Sequence, residues 1–163
     1  MNTIKSYSRM LFNAFALVLL FSMSAATFAD EGPTNVDDDG FAIKGYDTVA
    51  YFTESKPVKG SEEYAYDWNH GKWLFSSQEN LDLFKANPEK YAPQFGGYCA
   101  WAVAREGFAP IQVEQWSIVD DKLYLNFNKK IAKRWNKKRD AFIEAGHKNW
   151  PELLEEALEN VEG

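Results

Sequence analysis

The chain contains one cysteine, Cys99, and only two histidines, His70 and His147, among its 163 residues. A single cysteine excludes an intramolecular disulfide, so the fold must be stabilised by its core. Thiol or soft-metal chemistry would depend on Cys99, because no other thiol is present. An imidazole partner for it would have to be one of the two histidines.

Long apolar runs are also scarce. Residues 10–21 form one, but at about 12 residues it falls short of the roughly 20 that a membrane-spanning helix needs. Lys5 and Arg9 precede this run, and Thr27-Phe28-Ala29 supplies small residues that a signal peptidase recognises. The pattern predicts a signal peptide over residues 1–29, cleaved after Ala29, and a mature chain that is periplasmic or secreted.

Basic residues are fewer than acidic ones: the chain has 18 Lys and Arg against 24 Asp and Glu, which gives a formal net charge of −6. This balance excludes a general nucleic-acid footprint. Cleavage after Ala29 would also remove all three methionines, which excludes methionine-rich copper binding. Residues 30–40 are acidic and turn-rich and predict a disordered leader, whereas residues 41–160 suit a single domain. We identify no internal repeat in the sequence.

Aromatic residues, in contrast, are abundant. Each can bury about 150–250 Å² of surface, so a dense aromatic core is one interpretation of this composition. The other is an aromatic pocket that binds a small apolar ligand. Six tryptophans follow the predicted leader: Trp68, Trp73, Trp101, Trp116, Trp135 and Trp150.

Alternating aromatic and polar residues predict two β-hairpins. The first pairs residues 64–68 with 73–75, and the second pairs residues 116–119 with 123–127. Residues 49–53 are β-branched or aromatic and predict a further short strand.

Capping residues predict a helix after each hairpin. Ser76 begins the first, in a capping box with Glu79, and Asn128 begins the second, which ends at Gly146. A short helix over residues 98–104 follows the Gly96-Gly97 pair, and Asn149-Trp150-Pro151 opens a last, acidic helix. Together these elements predict an α+β fold, with a small antiparallel sheet of two hairpins and helices packed on it.

Several short segments resemble the YHS domain family in their order and spacing. They are Asp47-Thr48-Val49-Ala50, His70-Gly71-Lys72, Phe75-Ser76-Ser77, Phe84 and Asn87-Pro88-Glu89-Lys90-Tyr91. The resemblance covers residues 45–98. The adjoining Gly96-Gly97-Tyr98-Cys99-Ala100-Trp101 is similar to a segment of an exported, single-domain branch of the family.

YHS domains occur beside copper-transporting ATPases and in some hydroxylases, so the resemblance implies metal binding, with copper as the candidate metal. The usual cysteine positions of the family fall on Ala50, Ser76 and Asn80, none of which is a thiol. Because a soft metal prefers thiolate or imidazole ligands, Cys99 and His70 are the candidate metal ligands.

Cys99 has a second chemical interpretation. A position in the first turn of a helix would lower the pKa of its thiol, whereas burial among aromatic residues would raise the pKa. A small buried packing residue is the third interpretation. We therefore predict an exported, non-enzymatic YHS domain protein that binds a metal ion such as copper through Cys99 and His70. The alternatives are a thiol-dependent redox or transfer protein that uses Cys99, and a binder of a small apolar ligand in an aromatic pocket.

Charge is segregated near the end of the chain. Residues 129–139 are strongly basic, whereas residues 152–162 are acidic. One interpretation is a solvated helix face that lies toward its acidic neighbour. The other is attraction to anionic lipid headgroups or to an acidic partner.

Overall fold

The computed structural model describes residues 33–162 of the chain, so the predicted signal peptide lies outside the described residues. Within this range the fold is α+β, as predicted, with two separate two-stranded antiparallel sheets. The strands are β1 (Ser61–Trp68), β2 (Gly71–Phe75), β3 (Gln112–Val119) and β4 (Lys122–Asn126). The helices are α1 (Thr48–Thr53), α2 (Gln78–Ala86), α3 (Pro88–Tyr91), α4 (Ala100–Val103), α5 (Lys129–Lys137) and α6 (Arg139–Glu162).

Both predicted hairpins are confirmed. β1 pairs with β2 and β3 pairs with β4, each through a two-residue turn in which both residues have positive φ. Asn69 and His70 form the first turn, and Asp120 and Asp121 form the second. Such turns match the right-handed twist of the strands that they join, which is why two-residue loops favour them.

The predicted strand over residues 49–53 is wrong, because these residues form helix α1. The Asp47 side chain accepts hydrogen bonds from the backbone N–H groups of Val49 and Ala50, and this cap begins the helix. The β-propensity of Val49 and Thr53 is overridden by that cap and by the burial of the helix against the core.

The helix after the first hairpin begins one residue later than predicted. Ser77 is the N-cap, and its hydroxyl accepts a hydrogen bond from the N–H of Asn80. Ser76 instead turns its hydroxyl toward Asp47. Asn128 caps α5 as predicted, by accepting from the N–H of Ile131.

The end of the chain differs from the prediction of a break at Gly146. The helix breaks earlier, at Lys138, and α6 then continues through Gly146 and Pro151 without a new start. Glycine is needed at position 146 because a Cβ there would lie 2.6 Å from Cζ of Phe95. Close approach of two elements, rather than a helix end, therefore explains this glycine. Among the described helices, none is both long and apolar enough to cross a membrane.

The fold contains two copies of one unit, which corrects the expectation that the chain has no repeat. In each copy an eight-residue strand, a two-residue turn, a five-residue strand and a nine-residue helix follow in order. Ser61 and Gln112, the first residues of β1 and β3, lie 51 positions apart, and so do Gln78 and Lys129, the first residues of α2 and α5. Both hairpins also carry an irregularity in register at the corresponding place. We call residues 42–86 the first unit and residues 94–137 the second unit.

Hydrogen bonds outside the hairpins repeat as well. The N–H of Ala42 donates to Lys72 O at 2.9 Å, and that of Gln94 donates to Leu123 O at 2.8 Å. The N–H of Asp47 donates to Val58 O, as that of Cys99 does to Ala109 O. Cys99 in the second unit therefore occupies the position of Asp47 in the first.

The predicted disordered leader is wrong for its described part, residues 33–40. The N–H of Asn35 donates to Gly96 O at 2.7 Å, its side chain donates to Gly97 O, and its carbonyl accepts from Ile43. Thr34 is buried. The folded domain therefore includes residues from Pro33 onward, and the predicted start at residue 41 is too late.

The predicted aromatic core is confirmed. Phe84 of the first unit is fully buried and its ring lies 4.9–6.4 Å from the rings of Tyr66, Trp68, Trp73 and Phe75. Its counterpart in the second unit, Trp135, is also fully buried and packs on Tyr124. Contacts of this kind add to the burial of apolar area that stabilises the fold.

Candidate functional site

Asp47 is the centre of a buried polar network. One carboxylate oxygen accepts from the N–H groups of Val49 at 2.9 Å and Ala50 at 3.2 Å. The other accepts from the N–H of Ser76 at 2.9 Å, from its hydroxyl at 2.6 Å and from Nδ2 of Asn80 at 2.7 Å. A buried carboxylate is stable only when its oxygens are paired in this way. The network therefore fastens α1 to the end of β2 and to the start of α2.

The three positions that the YHS resemblance assigns to cysteine meet at this carboxylate. Ala50 contributes its N–H, while Ser76 and Asn80 contribute side-chain donors as well. The sequence analysis did not identify the network, although Asp47 directly before a buried helix is a capping signal. In this chain these positions form a structural cap instead of a set of soft-metal ligands.

Cys99 occupies the corresponding place in the second unit. It is the N-cap of α4, one position before the helical turn in which it was predicted to lie, and it is fully buried. Its thiol faces Oδ1 of Asn126 at 3.7 Å, and the same oxygen accepts from the N–H of Trp101 at 3.3 Å. The sulfur thus stands where the first unit has a carboxylate.

Burial raises the pKa of the Cys99 thiol, although the N–H groups of Ala102, Phe127 and Trp101 lower it in part. These three N–H groups correspond to those of Ala50, Ser76 and Val49 around Asp47. Because loss of hydration outweighs them, the neutral thiol is the favoured form at neutral pH. The helix-start position therefore does not produce a low-pKa thiolate.

Alkylation of Cys99 by iodoacetamide is expected to be more than about a hundredfold slower in the folded protein than in the chain unfolded in guanidinium chloride, because reaction requires local opening. The neutral thiol stabilises the folded state below its ordinary pKa, and this contribution is lost as the pH rises through the raised value. Equal alkylation rates for the folded and unfolded protein at the same pH would contradict this placement of Cys99.

His70 lies away from this environment, exposed in the turn between β1 and β2. Asp39 and Asp67 border the same shallow depression. Among the contacts of the described residues, none joins His70 to Cys99, so the structure does not bring together the two predicted metal ligands. Within residues 33–162, no group of three or more His, Cys, Asp or Glu side chains is arranged to hold a metal ion. His147 is exposed on α6, with its ring 5.1 Å from that of Phe95.

A cleft of about 250 Å³ opens beside the first hairpin. Trp68 and Trp73 line one side, with ring centroids 5.5 Å apart at 60°. The indole N–H of Trp73 donates to the carbonyl of Trp68 at 2.8 Å, which fixes its orientation. Trp73 is only 2% exposed, whereas Trp68 is half-buried and offers more of its ring to the cleft. The cleft therefore has an aromatic wall in which a hydrogen bond fixes the orientation of Trp73.

The opposite side of the cleft joins the two units. Ala92, Pro93, Gln94 and Gly96 supply a mostly apolar wall that leads into the second unit. Thr34, Asn69, Glu89 and Lys122 complete the lining, so that one carboxylate and one ammonium border an apolar interior. An apolar concavity with a few polar groups is the usual form of a small-ligand site.

The corresponding part of the second unit is packed. Tyr124 stands where the first unit has Trp73, and its ring lies 5.9 Å from Phe95 and 5.4 Å from Trp135. It is 2% exposed. Burial raises the pKa of its hydroxyl to about 12, with a smaller contribution from Asp120. Trp73 is equally buried, so what distinguishes the first unit is the cleft that Trp68 borders.

Comparison with known proteins identifies one family. The model of the YHS domain matches residues 49–95, which run from α1 to the segment that begins the second unit. No curated protein and no solved structure matched the chain. The matched range includes Trp68, Trp73, Glu89, Ala92, Pro93 and Gln94, which supply most of the cleft. Residues 49–95 of this chain form a YHS domain.

Proposed function

We propose that the chain is an exported binding protein whose YHS region holds a small, largely apolar molecule in the cleft beside Trp68 and Trp73. The observation that carries the proposal is the contrast between the two units. Trp68 is half-buried and lines the cleft, whereas its counterpart 51 positions on, Val119, offers no aromatic ring. Trp73 and its counterpart Tyr124 are equally buried, so the difference between the units lies at Trp68. The partly exposed indole of Trp68 favours a ligand that adds apolar contacts on its open side.

The polar groups of the cleft indicate what else the ligand carries. Glu89 and Lys122 are both exposed and border the opening. A neutral apolar body with one polar or charged end would contact the indoles and still leave these two side chains hydrated. No residue of the cleft needs to act as a nucleophile or a general acid in this role, so we assign the protein to binding rather than catalysis.

A titration followed by NMR tests the cleft directly. The six tryptophans give separate indole N–H signals, and those of Trp68 and Trp73 are assigned with phenylalanine variants. Titration with indole and 2-naphthol as probes is expected to shift these two signals together, because ring currents act within a few ångströms of a stacked ligand. Trp116, a half-buried tryptophan outside the cleft, is the internal control. Equal shifts at Trp116, or none at Trp68 and Trp73, would contradict the proposal.

The YHS match favours a second candidate function, the copper binding that was predicted from the sequence. It requires Cys99 and His70 to supply the ligands, and hence a rearrangement that opens Cys99 and moves the first turn toward it. Copper(I) binding by the mature protein under reducing conditions, lost in both Cys99→Ser and His70→Ala, would support this candidate over the cleft.

A further inference from the structure

Helix α5 presents a dense cationic face that the cleft does not use. Seven basic residues and no acidic one lie between Lys129 and Arg139, in a chain whose formal net charge is −6. At 100° per residue, the cations from Lys129 to Lys137 fall within about 140° of the helix surface. Trp135 lies on the opposite side and is fully buried. Trp135 therefore packs α5 against the core, and the basic side chains of the helix are exposed to solvent.

The five cations from Lys129 to Lys137 form none of the ion pairs seen among the described residues. The ion pairs seen among the described side chains are Lys56 with Glu54 and Arg139 with Asp140, and neither involves α5. The sequence allowed the basic face to lie toward acidic α6, but neither of these two ion pairs joins α5 to α6. All the basic side chains of α5 are exposed.

The spacing of the basic residues destabilises helix α5. Lys129 and Lys133, Lys130 and Arg134, and Lys133 and Lys137 are like-charged pairs four residues apart. Such pairs destabilise a helix, and basic residues near its N-terminus oppose the helix dipole. A binding partner that supplies negative charge would relieve this repulsion, whereas the isolated fold does not.

An exposed aromatic residue directly precedes the N-cap of α5 in the chain. This residue, Phe127, is 40% exposed and is one of the few large apolar side chains left at the surface of the described chain. A basic helix face bordered by an exposed aromatic residue is typical of proteins that lie on an anionic bilayer. An acidic protein partner would need a shaped apolar centre, and the groove beside α5, which Gln115, Lys133 and Lys137 help to line, is too shallow to provide one.

We propose that α5 and Phe127 form a docking surface for anionic phospholipid headgroups. The association is peripheral, because the apolar side of α5 is already occupied by the core. The cations contact the headgroups and the Phe127 ring enters the interfacial region. Docking on this side of the second unit is independent of the cleft, so it neither requires nor excludes the proposed ligand.

Vesicle co-sedimentation of the mature chain tests this surface. With vesicles of phosphatidylcholine containing roughly one third phosphatidylglycerol, binding is expected at low ionic strength and is expected to fall by more than tenfold near 0.5 M salt. Vesicles of phosphatidylcholine alone should bind at least tenfold more weakly. The triple variant Lys130→Glu, Arg134→Glu, Lys137→Glu should lose binding to the anionic vesicles.

A matched variant separates the docking face from net charge. Lys44→Glu, Lys72→Glu and Lys148→Glu change the charge equally at exposed sites outside α5, and this protein should keep binding within about twofold. The α5 variant should also keep or raise its free energy of unfolding, because it removes like-charge repulsion. Equal loss in both triple variants, or failure of the wild-type protein to bind anionic vesicles, would overturn the proposal. Binding to soluble polyglutamate without binding to vesicles would overturn it in favour of an acidic protein partner.

Discussion

Replacing Asp47 by alanine is expected to lower the free energy of unfolding by about 4 kcal/mol, a loss near the upper end for a single substitution. The reason is that five donors lose their acceptor in a fully buried site, and water cannot replace it at every donor. Equilibrium unfolding in urea, followed by tryptophan fluorescence and by far-UV circular dichroism, measures the change.

Two further variants show whether the loss comes from the carboxylate itself. Asp47→Asn keeps the acceptor for Val49 and Ala50 but places an amide nitrogen toward donors of Ser76 and Asn80, so its loss should fall between those of wild type and Asp47→Ala. Cys99→Ala, at the corresponding position of the second unit, should cost only about 1 kcal/mol, because a neutral thiol is a weak acceptor. Equal losses at positions 47 and 99 would contradict the different roles assigned to them.

Gly96→Ala is expected to lower the free energy of unfolding by about 3 kcal/mol, because overpacking against a fixed backbone adds to the cost of a left-handed residue. A Cβ at this position would lie 2.3 Å from the carbonyl oxygen of Pro33. Lys44, its counterpart in the first unit, has a similar φ of 57° with a full side chain. The backbone conformation alone is therefore tolerated, and the contact with Pro33 accounts for most of the expected loss.

The control for Gly96 is a shortened chain. In a protein that begins at residue 41, Pro33 is absent and the cost of Gly96→Ala should fall to about 1 kcal/mol, the cost of the left-handed conformation. Gly107→Ala, where a Cβ meets nothing within 4 Å, should change stability by less than about 0.5 kcal/mol. An undiminished loss in the shortened chain would show that residues 33–40 do not pack as described.

Local signals predicted much of the fold. The hairpins could be located because alternation and turn residues act over a few neighbouring positions, and the Asn128 cap is a signal of the same range. Residues 49–53 were mistaken for a strand because their β-propensity is opposed by Asp47, whose carboxylate is held by Ser76 and Asn80 more than 25 positions away. A pattern formed by a few neighbouring residues does not reveal a contact between residues so far apart in the sequence.

The repeat escaped the sequence analysis because few of its residues are identical. Gly45-Tyr46 and Gly97-Tyr98 correspond, but Asp47 becomes Cys99 and Phe84 becomes Trp135. Corresponding positions stay buried while their side chains change in chemistry. The similarity therefore appears only when strand lengths and hydrogen bonds are compared. Gly146 shows the same limit: its close contact with Phe95 joins residues 51 positions apart.

The candidate site was predicted only in outline. An aromatic pocket was one of three alternatives, but the sequence did not indicate which tryptophans would border open space. Tertiary packing decides that Trp68 and Trp73 line a cleft while Trp135 is sealed. The same packing decides the state of Cys99, because the effects of burial and of the helix start on its pKa have opposite signs.

Native mass spectrometry of the mature protein, purified without chelator from the cells that make it, tests the proposed function most directly. Wild type is compared with Trp68→Ala, Cys99→Ser and the control Trp116→Ala. We expect a small organic molecule bound to the wild-type protein, retained in Cys99→Ser and Trp116→Ala, and lost in Trp68→Ala. A copper adduct that disappears in Cys99→Ser and persists in Trp68→Ala, or a bare mass for the wild-type protein, would contradict the cleft as the functional site.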